Sequence, residues 1–110
     1  MDDTTYAMAD PLRDLLDAWE HLCLSAGAAK GRRCLRAGEA LTAGTAADRE
    51  AVGRALAALG YPQAMGSGAR LGGALRALRG RRGGRGRFLS MSHARGGSIW
   101  YVTGGGASGA

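Results

Sequence analysis

From Gly66 to Ala110 the chain contains no acidic residue, although it has nine acids in all. The same stretch carries eight arginines: Arg70, Arg76, Arg79, Arg81, Arg82, Arg85, Arg87 and Arg95. A chain of net charge +6 therefore concentrates its positive charge at one end, where a polyanion would neutralise it. Lysine is almost missing. Lys30 stands alone beside 14 arginines, and with 20 glycines and many alanines this is the coding bias of a GC-rich genome. Under such a bias the position of an arginine is more informative than the total.

Other scarcities narrow the class further. Cys23 and Cys34 are the only cysteines, with no histidine pair or second cysteine pair at ligand spacing, so neither a disulfide framework nor a zinc site is expected. Both thiols are expected to be reduced, and no metal or other cofactor is implied. No run of about 18 apolar residues exists, so no membrane span is expected. The start MDDTTYAMAD is acidic and lacks the positive and apolar regions of a secretory signal, which points to the cytoplasm. Aromatic residues are 5% of the chain and much of the 45% apolar content is alanine, so the core should be thin. A length of 110 residues has room for one small domain.

What is present has order. Asp10 can cap a first helix with Pro11 at its first position, and Leu12, Leu15, Leu16, Trp19, Leu22 and Cys23 then line one face. Gly27 is the expected C-cap. Residues 34–36 have the makings of a very short strand, and 38–42 of a helical turn. Thr45 can cap the next helix, with Asp48 near the exposed amides and Val52, Ala55, Leu56 and Leu59 on its buried face. Gly60 and Pro62 end it. Ser67 can cap a further helix on which Leu71, Leu75 and Leu78 fall at i, i+4 and i+7, leaving Arg70, Gly73, Arg76 and Ala77 on the far side. Gly72 and Gly73 are poor helix formers; either they follow genome composition or a small residue lets this helix approach a groove closely. The basic connection 80–84 precedes two strands, one around Phe88, Leu89 and Met91 and one over Ile99, Trp100, Tyr101 and Val102, with SHARGG between them as turn. The expected organisation is a disordered acidic segment 1–9, one domain over 10–103 and a disordered glycine-rich tail 104–110.

The order of helix, short strand, helices, arginine-bearing helix and basic hairpin resembles a winged helix-turn-helix. In particular, residues 69–102 resemble the C-terminal winged-helix region of primase-helicase or replication proteins of phages and integrated mobile elements. Arg70, Leu71, Gly72, Leu75, Arg76 and the closing aromatic Trp100 carry the resemblance. Ser67 or Gly68 stands where that family has asparagine, Tyr101 replaces a closing arginine, and GRRGGRGR is richer in glycine. These 110 residues hold no P-loop, helicase core or primase acidic cluster, so the resemblance implies only a DNA-binding part.

The fold class expected is mainly α with a small β-hairpin, a winged helix-turn-helix that binds double-stranded DNA without catalysis. A recognition helix over about 67–79 would enter the major groove, with Arg70 and Arg76 facing base edges and Gly73 allowing close approach. Arg79, Arg81 and Arg82 would meet phosphates, and Arg85, Arg87 and Arg95 would belong to a basic wing over about 85–103. Neither His21 nor His93 has a carboxylate or cysteine at motif spacing, and no nucleophile, paired acids or phosphate loop is present, so an enzyme with a small-molecule substrate is not expected. Partners other than DNA would be a second copy or a replication protein. The alternative function is a protein–protein interaction module that uses the acidic first helix as its docking face.

Overall fold

A computed structural model of the chain describes residues 10–27, 34–83, 86–94 and 97–104. Segments 1–9 and 105–110, expected to be disordered, lie outside the described residues, as does the basic loop 28–33. The fold is mainly helical with one hairpin. Its elements are α1 (Pro11–Gly27), α2 (Ala37–Ala40), α3 (Ala46–Ala58), a 3-10 turn (Ala64–Gly66), α4 (Gly68–Leu78), β1 (Arg87–Ala94) and β2 (Gly97–Gly104).

Each helix begins where a side chain can accept from an unpaired amide. Asp10 Oδ1 accepts from the Arg13 amide at 3.0 Å, and the Thr45 and Ser67 hydroxyls accept from Asp48 and Arg70 amides, each at 3.1 Å. The Glu39 carboxylate reaches back to the Arg36 amide at 2.9 Å and sets the start of α2. Arg49 is turned inward along the chain, its Nη1 donating to the carbonyls of Ala43 at 2.8 Å and Gly44 at 2.9 Å, which pins the loop between α2 and α3.

α1 packs against α3, and α4 packs against α2 and the 3-10 turn. Small residues set the α2–α4 spacing: a Cβ at Gly68 would stand 3.3 Å from Gly38 Cα, and one at Gly72 would meet Ala37 Cβ at 3.9 Å. Gly72 is buried beside α2, where a Cβ would make ordinary contact. Among the described residues the core comprises Leu15, Leu16, Trp19, Leu22, Leu56, Leu71, Leu75, Leu78, Leu89 and Trp100 with smaller neighbours, and no polar or charged residue is buried in it.

β1 and β2 pair antiparallel from Arg87↔Gly104 to Ala94↔Gly97. The ladder is longer than expected at both ends. Ser92, His93 and Ala94, assigned to the turn from sequence, are paired strand residues, and Gly104, assigned to the tail, closes β2. Strand hydrogen bonds at these positions satisfy backbone groups that a loop would leave to water. Both edges are partly covered. Leu35 exchanges two hydrogen bonds with Trp100 on β2, at 3.1 and 2.7 Å. On β1, the amides of Gly80 and Gly83 donate to the carbonyls of Leu89 at 2.9 Å and Arg87 at 2.7 Å. These contacts interrupt both edges and shorten the stretch on which another strand could pair.

The connection 80–83 is thus held by the strand it precedes. Gly83 also lies directly on α1, where a Cβ would come within 2.6 Å of Leu16 Cδ1, so a larger residue would have to displace that side chain.

Trp19 and Trp100 meet at the centre, 0% and 2% exposed. The indole Nε1 of Trp19 donates to the Trp100 carbonyl at 3.1 Å, tying α1 to β2. Cys23 lies in the same core as a free thiol. Burial first, then the neighbouring Cys34 and Glu20, pushes its pKa up to about 12, so it stays protonated near neutrality and is a poor nucleophile or metal ligand.

Trp19→Phe keeps a ring but removes the indole donor and part of the volume. It should destabilise the domain by about 1–3 kcal/mol, read as a lower urea midpoint with an unchanged slope. An unchanged midpoint would show that α1 is not anchored through this indole.

Candidate nucleic-acid interface

α4 is divided cleanly by burial. Leu71, Gly72, Ala74, Leu75 and Leu78 face the core, and Ala69, Arg70, Gly73, Arg76 and Ala77 face solvent. The leucine spacing that marks the helix in sequence is the reason, because residues at i, i+4 and i+7 share a face and leave the arginines opposite. A Cβ at Gly73 would touch nothing within 4 Å. Of the two adjacent glycines, one is packed and the other is open.

Two shallow hollows flank this exposed face. One, of about 450 Å³, lies at its N-terminal half between Tyr61, Pro62, Ala69, Arg70 and Gly73 and is mostly apolar. Arg70 leans across it, donating from Nη1 to Gln63 Oε1 at 3.3 Å. The other, of about 480 Å³, brings Arg76 of α4 together with Arg36, Glu39 and the turn-side hairpin residues Gly97 and Ser98. The helix face and the turn end of the hairpin thus border one concave surface. Gln63 and Arg36 escaped the sequence reading, since a residue brought beside a helix by a turn or an isolated bridge leaves no periodic mark.

Beyond α4 the exposed cations continue. Arg79, Arg81 and Arg82 are all solvent-facing. Arg82 is steadied by Nη1 donating to the Gly86 carbonyl at 2.9 Å, with its guanidinium 4.9 Å from the Phe88 ring centroid. Arg85 and Arg95 lie outside the described residues.

Arg87 has a different job from the wing contact expected of it. Its Nη2 lies 2.7 Å from Asp17 Oδ1 and its Nη1 2.7 Å from Glu20 Oε1, and its side chain is only 16% exposed. Burial works against its charge, but the hydrogen bonds and charges of Asp17 and Glu20 prevail, so its pKa is raised. The planar fork of one guanidinium joins the base of β1 to two carboxylates on successive turns of α1. The acidic face of α1 is correspondingly neutralised in part by the fold itself.

His21 and His93 are exposed. Among the described residues no group of three or more His, Cys, Asp or Glu side chains could hold a metal ion, and no helix is long and apolar enough to cross a membrane.

No protein-family model, curated protein or solved structure matches this chain.

Removing the Arg87 guanidinium leaves two like charges facing each other on α1. The acids are about half exposed, and water screening keeps the loss modest: Arg87→Ala should cost about 1 kcal/mol in thermal or urea unfolding, and Arg87→Lys should recover only part of it. Gly73→Ala should act in the opposite direction. With open space at the site and helical backbone, it should stabilise the domain by about 0.5–1 kcal/mol, measured in the same unfolding experiment.

Proposed function

We propose that this chain is a winged helix-turn-helix domain that binds double-stranded DNA without catalysis. One observation carries the reading: Arg70, Gly73 and Arg76 form the open side of a helix whose other side is locked into the core, and exposed Arg79, Arg81 and Arg82 extend the positive surface from its end. A rigid helix presenting guanidinium groups suits the major groove, where an arginine can pair bidentately with guanine. Arginines beyond the helix end suit phosphate oxygens, which fix orientation and supply affinity without sequence choice.

Further support comes from the order of elements. α1 is followed by a strand-like residue, Leu35, that bridges to β2; the helices and the hairpin then follow in the order a winged helix requires. On this reading the hairpin is the wing, and Arg76 lies beside its turn-side residues. The setting implied by the resemblance is replication or regulation in a mobile element, in the cytoplasm.

A second reading has its own observation. The mostly apolar hollow beside Arg70, walled by Tyr61 and Pro62, suits a protein side chain as well as a base edge. A dimer or hetero-complex formed through it would be indifferent to DNA, which light scattering with and without duplex distinguishes.

If Arg79, Arg81 and Arg82 each neutralise a phosphate, the logarithm of the duplex binding constant should fall with that of salt concentration at a slope of about −2.7. Replacing Arg70 and Arg76 together with alanine should relax sequence choice and weaken binding far more than replacing Arg13 and Arg54. Duplex affinity indifferent to salt, or equal losses in the two double variants, would rule out α4 as the reading helix.

A further inference from the structure

The hairpin has two faces of opposite character. Leu89, Met91, Trp100 and Val102 point to the helices, and Arg87 shares their side, reaching α1. By strand alternation the other face presents Phe88, Ser90 and Ser92 from β1 and Ile99, Tyr101 and Thr103 from β2. All six are partly exposed. Ser90 is opposite Tyr101 and Phe88 opposite Thr103, so the Phe88 and Tyr101 rings are diagonal neighbours on one open surface.

Their setting is specific. The Tyr101 hydroxyl lies 3.1 Å from Ser92 Oγ and accepts from Ser90 Oγ at 3.5 Å, which fixes the ring across the strands. Those hydrogen bonds, helped by the charge of Arg79, lower the Tyr101 pKa. Phe88 already carries a guanidinium over its ring, that of Arg82 at 4.9 Å. No acid occurs in the chain from Gly66 onward, and Asp17 and Glu20, on the side of the hairpin opposite these rings, are bound to Arg87. An aromatic pair on a sheet, with Arg82 over one ring and the charge of Arg79 acting on the other, is complementary to a ligand with flat apolar faces and a negative backbone.

We propose that this outward face is a second nucleic-acid surface, on which unpaired bases stack against Phe88 and Tyr101 while Arg79 and Arg82 hold the adjoining phosphates. Bases in a duplex are stacked on one another and cannot offer their faces to a sheet, so the surface selects single strands. It shares Arg79 and Arg82 with the duplex reading, but not the two rings, which take no part there. A protein holding duplex on α4 and unpaired strand on the hairpin suits a junction between the two.

The test is fluorescence anisotropy of the full chain with labelled oligothymidylate and, separately, a labelled duplex. Phe88→Ala and Tyr101→Ala should each weaken oligothymidylate binding by about tenfold or more and leave duplex binding within about twofold. Phe88→Trp and Tyr101→Phe keep a ring and should bind the single strand as the native chain does. Arg70→Ala with Arg76→Ala should lose duplex and spare oligothymidylate, so failure of the α4 reading is seen separately from failure of this one. The proposal is overturned if the native chain does not bind oligothymidylate, if the alanine variants bind it normally, or if duplex and single strand are lost together. Should an alanine variant lose its near-ultraviolet dichroism, the ring-preserving pair decides: Phe88→Trp or Tyr101→Phe that folds but no longer binds oligothymidylate overturns it equally.

Discussion

The carbonyl of Trp100 accepts two hydrogen bonds at the centre of the molecule, from the Leu35 amide and from the Trp19 indole, each at 3.1 Å. Three parts of the chain that are far apart in sequence converge on this one oxygen: the first helix, the segment entering the second, and the last strand. A two-stranded hairpin is marginal alone in water and needs a surface to bury one face against. Here Trp100 supplies both the buried side chain and the acceptor that orients the hairpin on α1. Arg87 fixes the other end of the same contact through Asp17 and Glu20. The seat of the hairpin is thus set at two points, one dry and neutral, the other half-exposed and charged.

That arrangement divides the arginines by work as well as by place. Arg49 clamps a loop, Arg87 joins two elements, and Arg82 stands on an aromatic ring at the root of the hairpin. Arg70, Arg76, Arg79 and Arg81 face solvent, Arg70 with only a side-chain hydrogen bond to Gln63. In a chain whose composition inflates arginine, this sorting is what gives the positive charge meaning. Charge held by internal acids cannot draw a polyanion, whereas charge arrayed on a rigid helix face can.

Alanine and glycine dominate the sequence, and the packing turns that into an advantage at particular points. Gly68 lets α4 lie close on α2, and Gly83 lets the connection to the hairpin pass over Leu16. Close approach recovers dispersion contacts that a core short of large side chains would otherwise lack. Gly73 has no such contact and is exposed where its neighbour Gly72 is buried, a difference between two glycines indistinguishable in sequence.

The sequence by itself determined the helices, their caps at Asp10, Thr45 and Ser67, the leucine face of α4 and its opposite arginines, and the place of Trp19 on the buried face of α1. These are local matters: capping involves residues three apart, and a helix face follows from a period of 3.6. Only the tertiary structure decided that Arg87 pairs with α1, that Gln63 sits against Arg70, that the strands run on through Ala94 and Gly104, and that Gly72 is packed while Gly73 is free. Each of those depends on which distant elements come together. The physical reason is that a side chain's partner is fixed by packing across the core, and a linear sequence records periodicity but not proximity.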